Sequence, residues 1–360
     1  MNYHSRKTYA IINLNALVAN YKTIASLAPQ SNTIAVIKAN AYGHGTIEIA
    51  KNLSQLVSVF AVAFIDEAMA LRNAGITLPI LILEGALSKQ DFDIAAKHRF
   101  YMMIHNHQQI DWLVKQTPSF TGNLWLKVDT GMNRLGCRPS EVPDFLDKLT
   151  ETQYQNLVLC THFSNAEEVE NPKTLQQIAE FTQITQKHAL KTSLANSAGI
   201  LNWPESHSDF NRLGIALYGT SPLSSKSSPI ALQPVMTLQA NIIGLRTLAL
   251  GQSVGYGETW QAKRKTIIAT VAIGYGDGYP RNAKAGTPVF IHGQTAPIAG
   301  RVSMDMITVD VTDINNVRLG DCVELWGDNL SIDTVAEYMD TINYELLTRI
   351  SARVTRKYIS

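Results

Sequence analysis

The chain has 360 residues, 45% hydrophobic and 17% charged, and 31 lysines and arginines against 30 aspartates and glutamates leave a formal net charge of +1. That balance excludes nucleic acid or an acidic membrane surface as the main partner, since holding either takes an excess of basic charge. The length suffices for a full core and predicts two domains. The widely spaced Cys137, Cys160 and Cys322 form no CxxC pair and have no nearby histidine, so no metal site and a reduced, cytoplasmic protein are expected. The N-terminus, MNYHSRKTYAIINLNAL, lacks the basic segment, apolar core and cleavage site of an export signal, and no stretch is long and apolar enough to span a bilayer.

From about residue 33 to 215, short apolar runs alternate with longer amphipathic ones, the pattern of repeated βα units. The strand candidates are Ile34–Lys38, Val59–Ala63, Ile80–Leu83, Tyr101–Ile104, Leu124–Val128, Leu157–Thr161, Ser193–Ala195 and Phe210–Leu213. Helix-like stretches lie between them, among them Ile47–Leu56, Asp66–Asn73, Lys89–Lys97 and Thr174–His188. This spacing predicts a (β/α)8 TIM barrel, with a doubly wound open sheet as the alternative. The Ser/Pro-rich segment TSPLSSKSSP, Thr220–Pro229, reads as a linker. Beyond it, runs such as KTIIATVAIGYGDGY, PVFIHG, MITVDVT and CVELWG alternate between Gly, Pro and Asp turns and have an all-β texture. The expected division is a barrel over residues 1–228 and a C-terminal mostly-β domain over 229–360.

The run AVIKANAYGHG, residues 35–45, carries the most chemistry. Lys38 closes an apolar strand there, and a lysine amine that loses solvation at a strand end is a Schiff-base nucleophile. A lysine merely reaching out to solvent is the ordinary alternative. In a (β/α)8 barrel the active site is built at the C-terminal ends of the strands. By that rule Lys38, Lys127, Arg134, His162, Asn196, Ser197 and Arg212 meet at one mouth. Singly, each has a plain structural explanation: an outward strand lysine at Lys127, a core histidine at His162, and ion pairs of Arg134 with Asp129 and Arg212 with Asp209. Their joint placement favours one pocket. NSAG and the Leu213-Gly214-Ile215 turn follow strands seven and eight, where barrels often hold phosphate, and with a strand-one lysine this suggests pyridoxal 5'-phosphate.

AVIKANAYGHG, KVDTGMNRLG, THFSNA, NSAG, FNRLGIALYG, VGYGETW, AIGYGDGYPR and GRVSMDM, in that order and over nearly the whole chain, together resemble the alanine racemase family. The resemblance implies a homodimer of barrel-plus-β-domain protomers that shares its active sites across the interface and racemises alanine, for D-alanine in peptidoglycan or for alanine catabolism. It implies that Lys38 carries the cofactor and acts as one base, with Tyr256 of the partner subunit as the other. His162 and Arg212 then link the tyrosine to the cofactor's pyridine nitrogen. Arg134 contacts the cofactor and the substrate carboxylate, and Lys127 matches a position that is carbamylated in some members. Tyr42, Asn196, Ser197, Gly214 and Ile215 match cofactor contacts. Tyr275, Met304 and Asp305 match partner residues that narrow the entrance and bind the carboxylate. Ala352 stands where some members have a phosphate-reaching tyrosine.

Two rivals on the same fold are weighed against this reading. A basic amino-acid decarboxylase would need an acidic partner on the pyridine nitrogen, and Arg212 argues against it. A non-catalytic carrier of the cofactor would have no need of Tyr256 or Met304-Asp305. Broader amino-acid racemisation is a third possibility, because one methylene changes pocket discrimination by only about 1–3 kcal/mol.

Overall fold

The computed structural model describes residues 6–115, 120, 122–223 and 230–360. Eight parallel strands, Asn32–Val36, Phe60–Val62, Ile80–Ile82, Tyr101–Ile104, Leu124–Lys127, Val158–Cys160, Lys191–Ser193 and Phe210–Leu213, lie side by side in chain order, and the last pairs back onto the first. We number them barrel strands one to eight. Strands seven and eight are joined by the bond from Arg212 N–H to Ala195 O, 2.9 Å, so the sheet is a nearly closed barrel. Its strands read as continuous apolar runs because both faces are covered, the inner by the barrel core and the outer by helices. Ile34, Phe60, Ile80, Leu81 and Leu159 are fully buried, and each such side chain stabilises the fold by roughly 1.5–3 kcal/mol. The covering helices Thr46–Leu53, Ile65–Asn73, Lys89–His98 and Lys173–Thr185 overlap the expected stretches. Local chemistry sets their starts: at Lys89–His98 the Asp91 carboxylate accepts from Ser88 N–H at 3.0 Å, occupying a donor outside the helical ladder.

The second sheet is organised by the 13-residue strand Met236–Leu248. One half pairs with Cys322–Trp326, the other with Thr266–Val271, and a register shift between Ile242 and Gly244 bends it between the two. Pro288–Ile291, Gln294–Pro297 and Ile307–Asp310 complete the β texture read from the sequence.

Several expectations need correction. Barrel strand one stops at Val36, so Lys38 lies beyond the strand instead of closing it. The first strand of the chain, Tyr9–Asn13, belongs to the second sheet, antiparallel to Met236–Leu248 and parallel to Thr355–Ile359. Its five residues alternate half-buried and buried positions, too short a signal beside the long helix Leu14–Ala25 that follows. The C-terminal domain also contains the helices Ile332–Tyr338 and Asn343–Thr348, which are shorter than the window in which helical periodicity can be read. Residues 224–229 of the linker, and with them the expected boundary at 228/229, lie outside the described residues.

Among the described residues no helix is long and apolar enough to cross a membrane. No group of His, Cys, Asp and Glu there could hold a metal ion. All three cysteines are free, Cys137 and Cys160 buried and Cys322 exposed.

Candidate active site

Parallel register brings the polar residues of neighbouring strands to one level of the barrel. Lys127 is opposite Cys160, Cys160 is opposite Ser193, and Arg212 is opposite Ile34. At the C-terminal mouth this register opens into a cavity of about 510 Å³ whose wall includes Lys38, Tyr42, Lys127, Arg134, His162 and Arg212. Asn196, Ser197, Gly214 and Ile215 complete its barrel side.

Arg212 is the fixed centre of the site. Its Nη1 donates to Ser193 O at 3.0 Å and Ser193 Oγ at 2.6 Å, and its Nη2 donates to Thr161 O at 2.7 Å, Leu194 O at 3.1 Å and His162 Nδ1 at 3.2 Å. The ion pair with Asp209, the ordinary alternative for Arg212, does not occur, because Asp209 accepts from Thr192 N–H at 2.8 Å and from the Thr192 hydroxyl. Accepting at Nδ1 puts the proton of a neutral His162 on Nε2. Burial, then the cations Arg212, Lys127, Arg134 and Lys38, hold the His162 pKa well below the ordinary histidine value. Burial also lowers the Lys127 pKa, and Arg212 and Arg134 push the same way against Cys160 and Glu84. The other ion pair considered, Arg134 with Asp129, is absent as well: Asp129 Oδ1 accepts instead from the N–H groups of Gly131, Met132 and Asn133 at 2.9, 2.9 and 3.0 Å, shaping the loop that carries Arg134.

Lys38 leads into a left-handed turn. Ala39, Asn40, Ala41 and Tyr42 have φ of 51°, 56°, 51° and 51°, a run that costs roughly 1–2 kcal/mol per residue for L-amino acids. Several groups brace it. The Glu67 carboxylate accepts from Ala39 N–H at 2.7 Å, and His44 Nδ1 donates to Ala41 O at 3.0 Å and Tyr42 O at 2.9 Å. The ring of Tyr218 stacks on both Tyr42 and His44, at 4.8 and 4.6 Å between centroids. The turn therefore aims Lys38 and Tyr42 into the cavity from a strained but tightly held backbone.

The buried His44 predicts a pH dependence. Burial pushes its pKa down to about 4, whereas in the unfolded chain it titrates near 6.5. Between those values the unfolded state binds the extra proton, so stability is full above pH about 6.5 and falls by about 3 kcal/mol towards pH 4. His162 acts in the same direction. Urea midpoints measured from pH 7.5 to 4.5 should fall, and His44→Gln should flatten the fall; a flat wild-type profile would refute the assignment.

Glu84 and Tyr344 are among the wall residues that were not picked out from the sequence. Glu84, two residues beyond barrel strand three, places Oε1 4.0 Å from Lys38 Nζ. The strand-end rule could have found it. Tyr344, from Asn343–Thr348, closes the wall on the other side with its ring centroid 6.1 Å from that of Tyr42. No local signal marks it, since it arrives from the far end of the chain. Ala352 is exposed and does not line the cavity.

Tyr256, Tyr275, Met304 and Asp305 do not line this cavity. They sit on adjoining loops of the second domain: Tyr275 N–H donates to Ser303 O at 3.0 Å, Gly276 N–H to Met304 O at 2.9 Å, and a Cβ on Gly257 would meet the Arg301 guanidinium at 3.2 Å. Tyr256 is 71% exposed and Met304 53%. A packed strand aromatic, the ordinary explanation for Tyr256, is thereby excluded.

Residues 12–222 match the family model "Alanine racemase, N-terminal domain", and residues 235–358 match "Alanine racemase, C-terminal domain". The chain belongs to the alanine racemase family. An alanine racemase from Alteromonas mediterranea is 46% identical over 99% of this chain and 100% of its own. Among solved structures, biosynthetic alanine racemase from Pseudomonas aeruginosa superposes with a TM-score of 0.94 at 41% identity, covering 99% of this chain and 100% of that one. Alanine racemase from Bartonella henselae with covalently bound pyridoxal phosphate gives a TM-score of 0.90 at 32% identity, covering 98% and 99%.

Proposed function

We propose that the chain interconverts L- and D-alanine with pyridoxal 5'-phosphate, using Lys38 and Tyr256 of the partner subunit as bases on opposite faces of the α-carbon. The observation that carries this is the convergence of Lys38, Arg134, His162 and Arg212 on one cavity at the barrel mouth. The donor set fits the cofactor. Lys38, Lys127, Arg134 and Arg212 outnumber Glu84 and Glu345 in the wall, and Glu345 is paired outward with Arg349 at 2.8 Å. That balance suits an anionic ligand. A Cβ on Gly214 would come within 2.9 Å of Tyr42 Oη, so the glycine leaves open the space where Tyr42 and Ser197 converge. Those three residues and Ile215 would hold the phosphate, with Asn196 capping the short helix behind them by accepting from Gly199 N–H at 2.9 Å.

When bound, pyridoxal phosphate supplies an electron-withdrawing ring that acidifies the α-proton of an amino acid joined to its aldehyde carbon. Lys38 would hold the aldehyde, and its free amine would take or return a proton at the α-carbon. Tyr256 does the same from the opposite face. His162, with its proton on Nε2, is the group that would donate to the phenol oxygen and favour its deprotonated form. Arg212 has one N–H, on Nε, without a partner among the described residues, and this would face the pyridine nitrogen. A guanidinium keeps its proton, so Arg212 would leave the pyridine nitrogen unprotonated and the ring a weaker electron sink. Arg134 would hold the substrate carboxylate, with Met304, Asp305 and Tyr275 of the partner subunit narrowing the entrance.

The reading makes the protein a homodimer, and an active monomer in equilibrium sedimentation would sink it. It is tested by incubating the cofactor-loaded protein with L-alanine in deuterated water. D-alanine should form with deuterium at the α-carbon; no D-alanine and no exchange would reject the proposal. Because the equilibrium constant is one, a lost base cannot slow net conversion in one direction only. Tyr256→Phe should instead slow α-exchange on one enantiomer by about 10²–10⁴-fold while exchange on the other persists. Equal losses on both would count against the two-base assignment. Supply of D-alanine is the proposed use, with alanine catabolism as the other; the Pseudomonas aeruginosa relative is described as biosynthetic.

A further inference from the structure

We propose that Arg356 is a positioning residue that ties the Lys38 turn to the Tyr275 and Met304 loops, making one rigid unit of two functional elements that belong to different domains. The guanidinium donates to four carbonyls. Nε reaches Gly43 O, at the end of the left-handed turn, at 3.0 Å. Nη1 reaches Ser351 O at 2.8 Å and Val354 O at 3.0 Å, and Nη2 reaches Ile350 O at 2.7 Å.

The segment held by those last three bonds is in turn hydrogen-bonded to the loops of the second domain. Ser351 N–H donates to Asp277 O at 3.0 Å, and its hydroxyl donates to Gly276 O at 3.1 Å. Arg353 Nη2 donates to Asp305 Oδ1 at 2.7 Å. Asp277, whose side chain is fully buried, is clamped by Arg6 at 2.7 and 2.9 Å. The packing at the turn is equally close: a Cβ on Gly43 would lie 2.1 Å from Leu347 O, leaving no slack between the turn and the C-terminal helix. A planar fork that fills carbonyls on both sides is something a lysine cannot reproduce. Four successive residues of unfavourable handedness give the turn a strong tendency to relax, so a brace from outside the barrel is needed there. In one protomer, the element that presents Lys38 and the loops that the proposed function assigns to the partner's site thus move together.

The inference deepens the assignment of Lys38 but is read without any turnover. Amide hydrogen exchange is followed in the full-length, cofactor-loaded protein for wild type, Arg356→Gln and Arg356→Lys. In Arg356→Gln, amides of residues 41–45 and of 275–279 should both exchange at least about tenfold faster, the factor that goes with one lost charge-assisted hydrogen bond. Amides of Ile80–Ile82, in the barrel wall, should keep their wild-type rates. Arg356→Lys should fall between the two, and it carries the same readings if Arg356→Gln does not fold. Acceleration confined to the turn would overturn the linkage. No acceleration, or equal acceleration throughout the barrel, would overturn the positioning role. Failure of the racemase reading would appear in the deuterium assay and leave these rates untouched.

Discussion

Lys38→Ala should lower kcat for alanine racemisation by at least about 10⁴-fold, because it removes both the group that holds the cofactor and one of the two bases. The loss should be chemical, with the fold intact. Lys38 is partly exposed, it pairs with Glu84 at 4.0 Å, and loose exposed pairs contribute about 0–1 kcal/mol. Steady-state rates, together with a melting temperature within a few degrees of wild type, check this. Substantial racemisation by Lys38→Ala, or unfolding in place of inactivation, would contradict the assignment.

The second large effect belongs to Arg212. Arg212→Met should destabilise the protein by about 3–5 kcal/mol, since it strands the Ser193, Thr161 and Leu194 carbonyls at the barrel mouth without the donor they face. Arg212→Lys should recover less than half of that, because an ammonium offers three donors from one point where the guanidinium spans several acceptors. Both variants should also lose the Nδ1 bond that fixes the His162 tautomer. Urea denaturation gives the stability term. A change below about 1 kcal/mol for Arg212→Met would show that solvent replaces the guanidinium and that Arg212 does not organise the mouth.

What could be read from the sequence follows from how local each signal is. Barrel strands such as Ile80–Ile82 and Phe210–Leu213 are short apolar runs between turn residues, and the strand-end rule then collects Lys127, Arg134, His162 and Arg212 without knowledge of any contact. The handedness of Ala39–Tyr42 was not legible: four consecutive non-glycine residues at positive φ run against local preference, and their braces come from Glu67 and Arg356, far away in the chain. The same distance hid Tyr344 from the cavity wall and Tyr9–Asn13 from the second sheet. Reading Tyr256 as a packed aromatic would have been the safer choice on residue type alone, yet its side chain stands largely in solvent.

Complementation between two inactive variants tests the shared site most directly. Lys38→Ala and Tyr256→Phe homodimers are purified, mixed, allowed to exchange subunits and assayed for D-alanine formation from L-alanine. If each site takes Lys38 from one protomer and Tyr256 from the other, a mixed dimer contains one intact site and one doubly defective site. Activity should then rise well above either parent, towards about a quarter of wild type for random exchange of equal amounts. A mixture that stays at the level of its parents, although mass analysis shows mixed dimers, would contradict a site built from two chains.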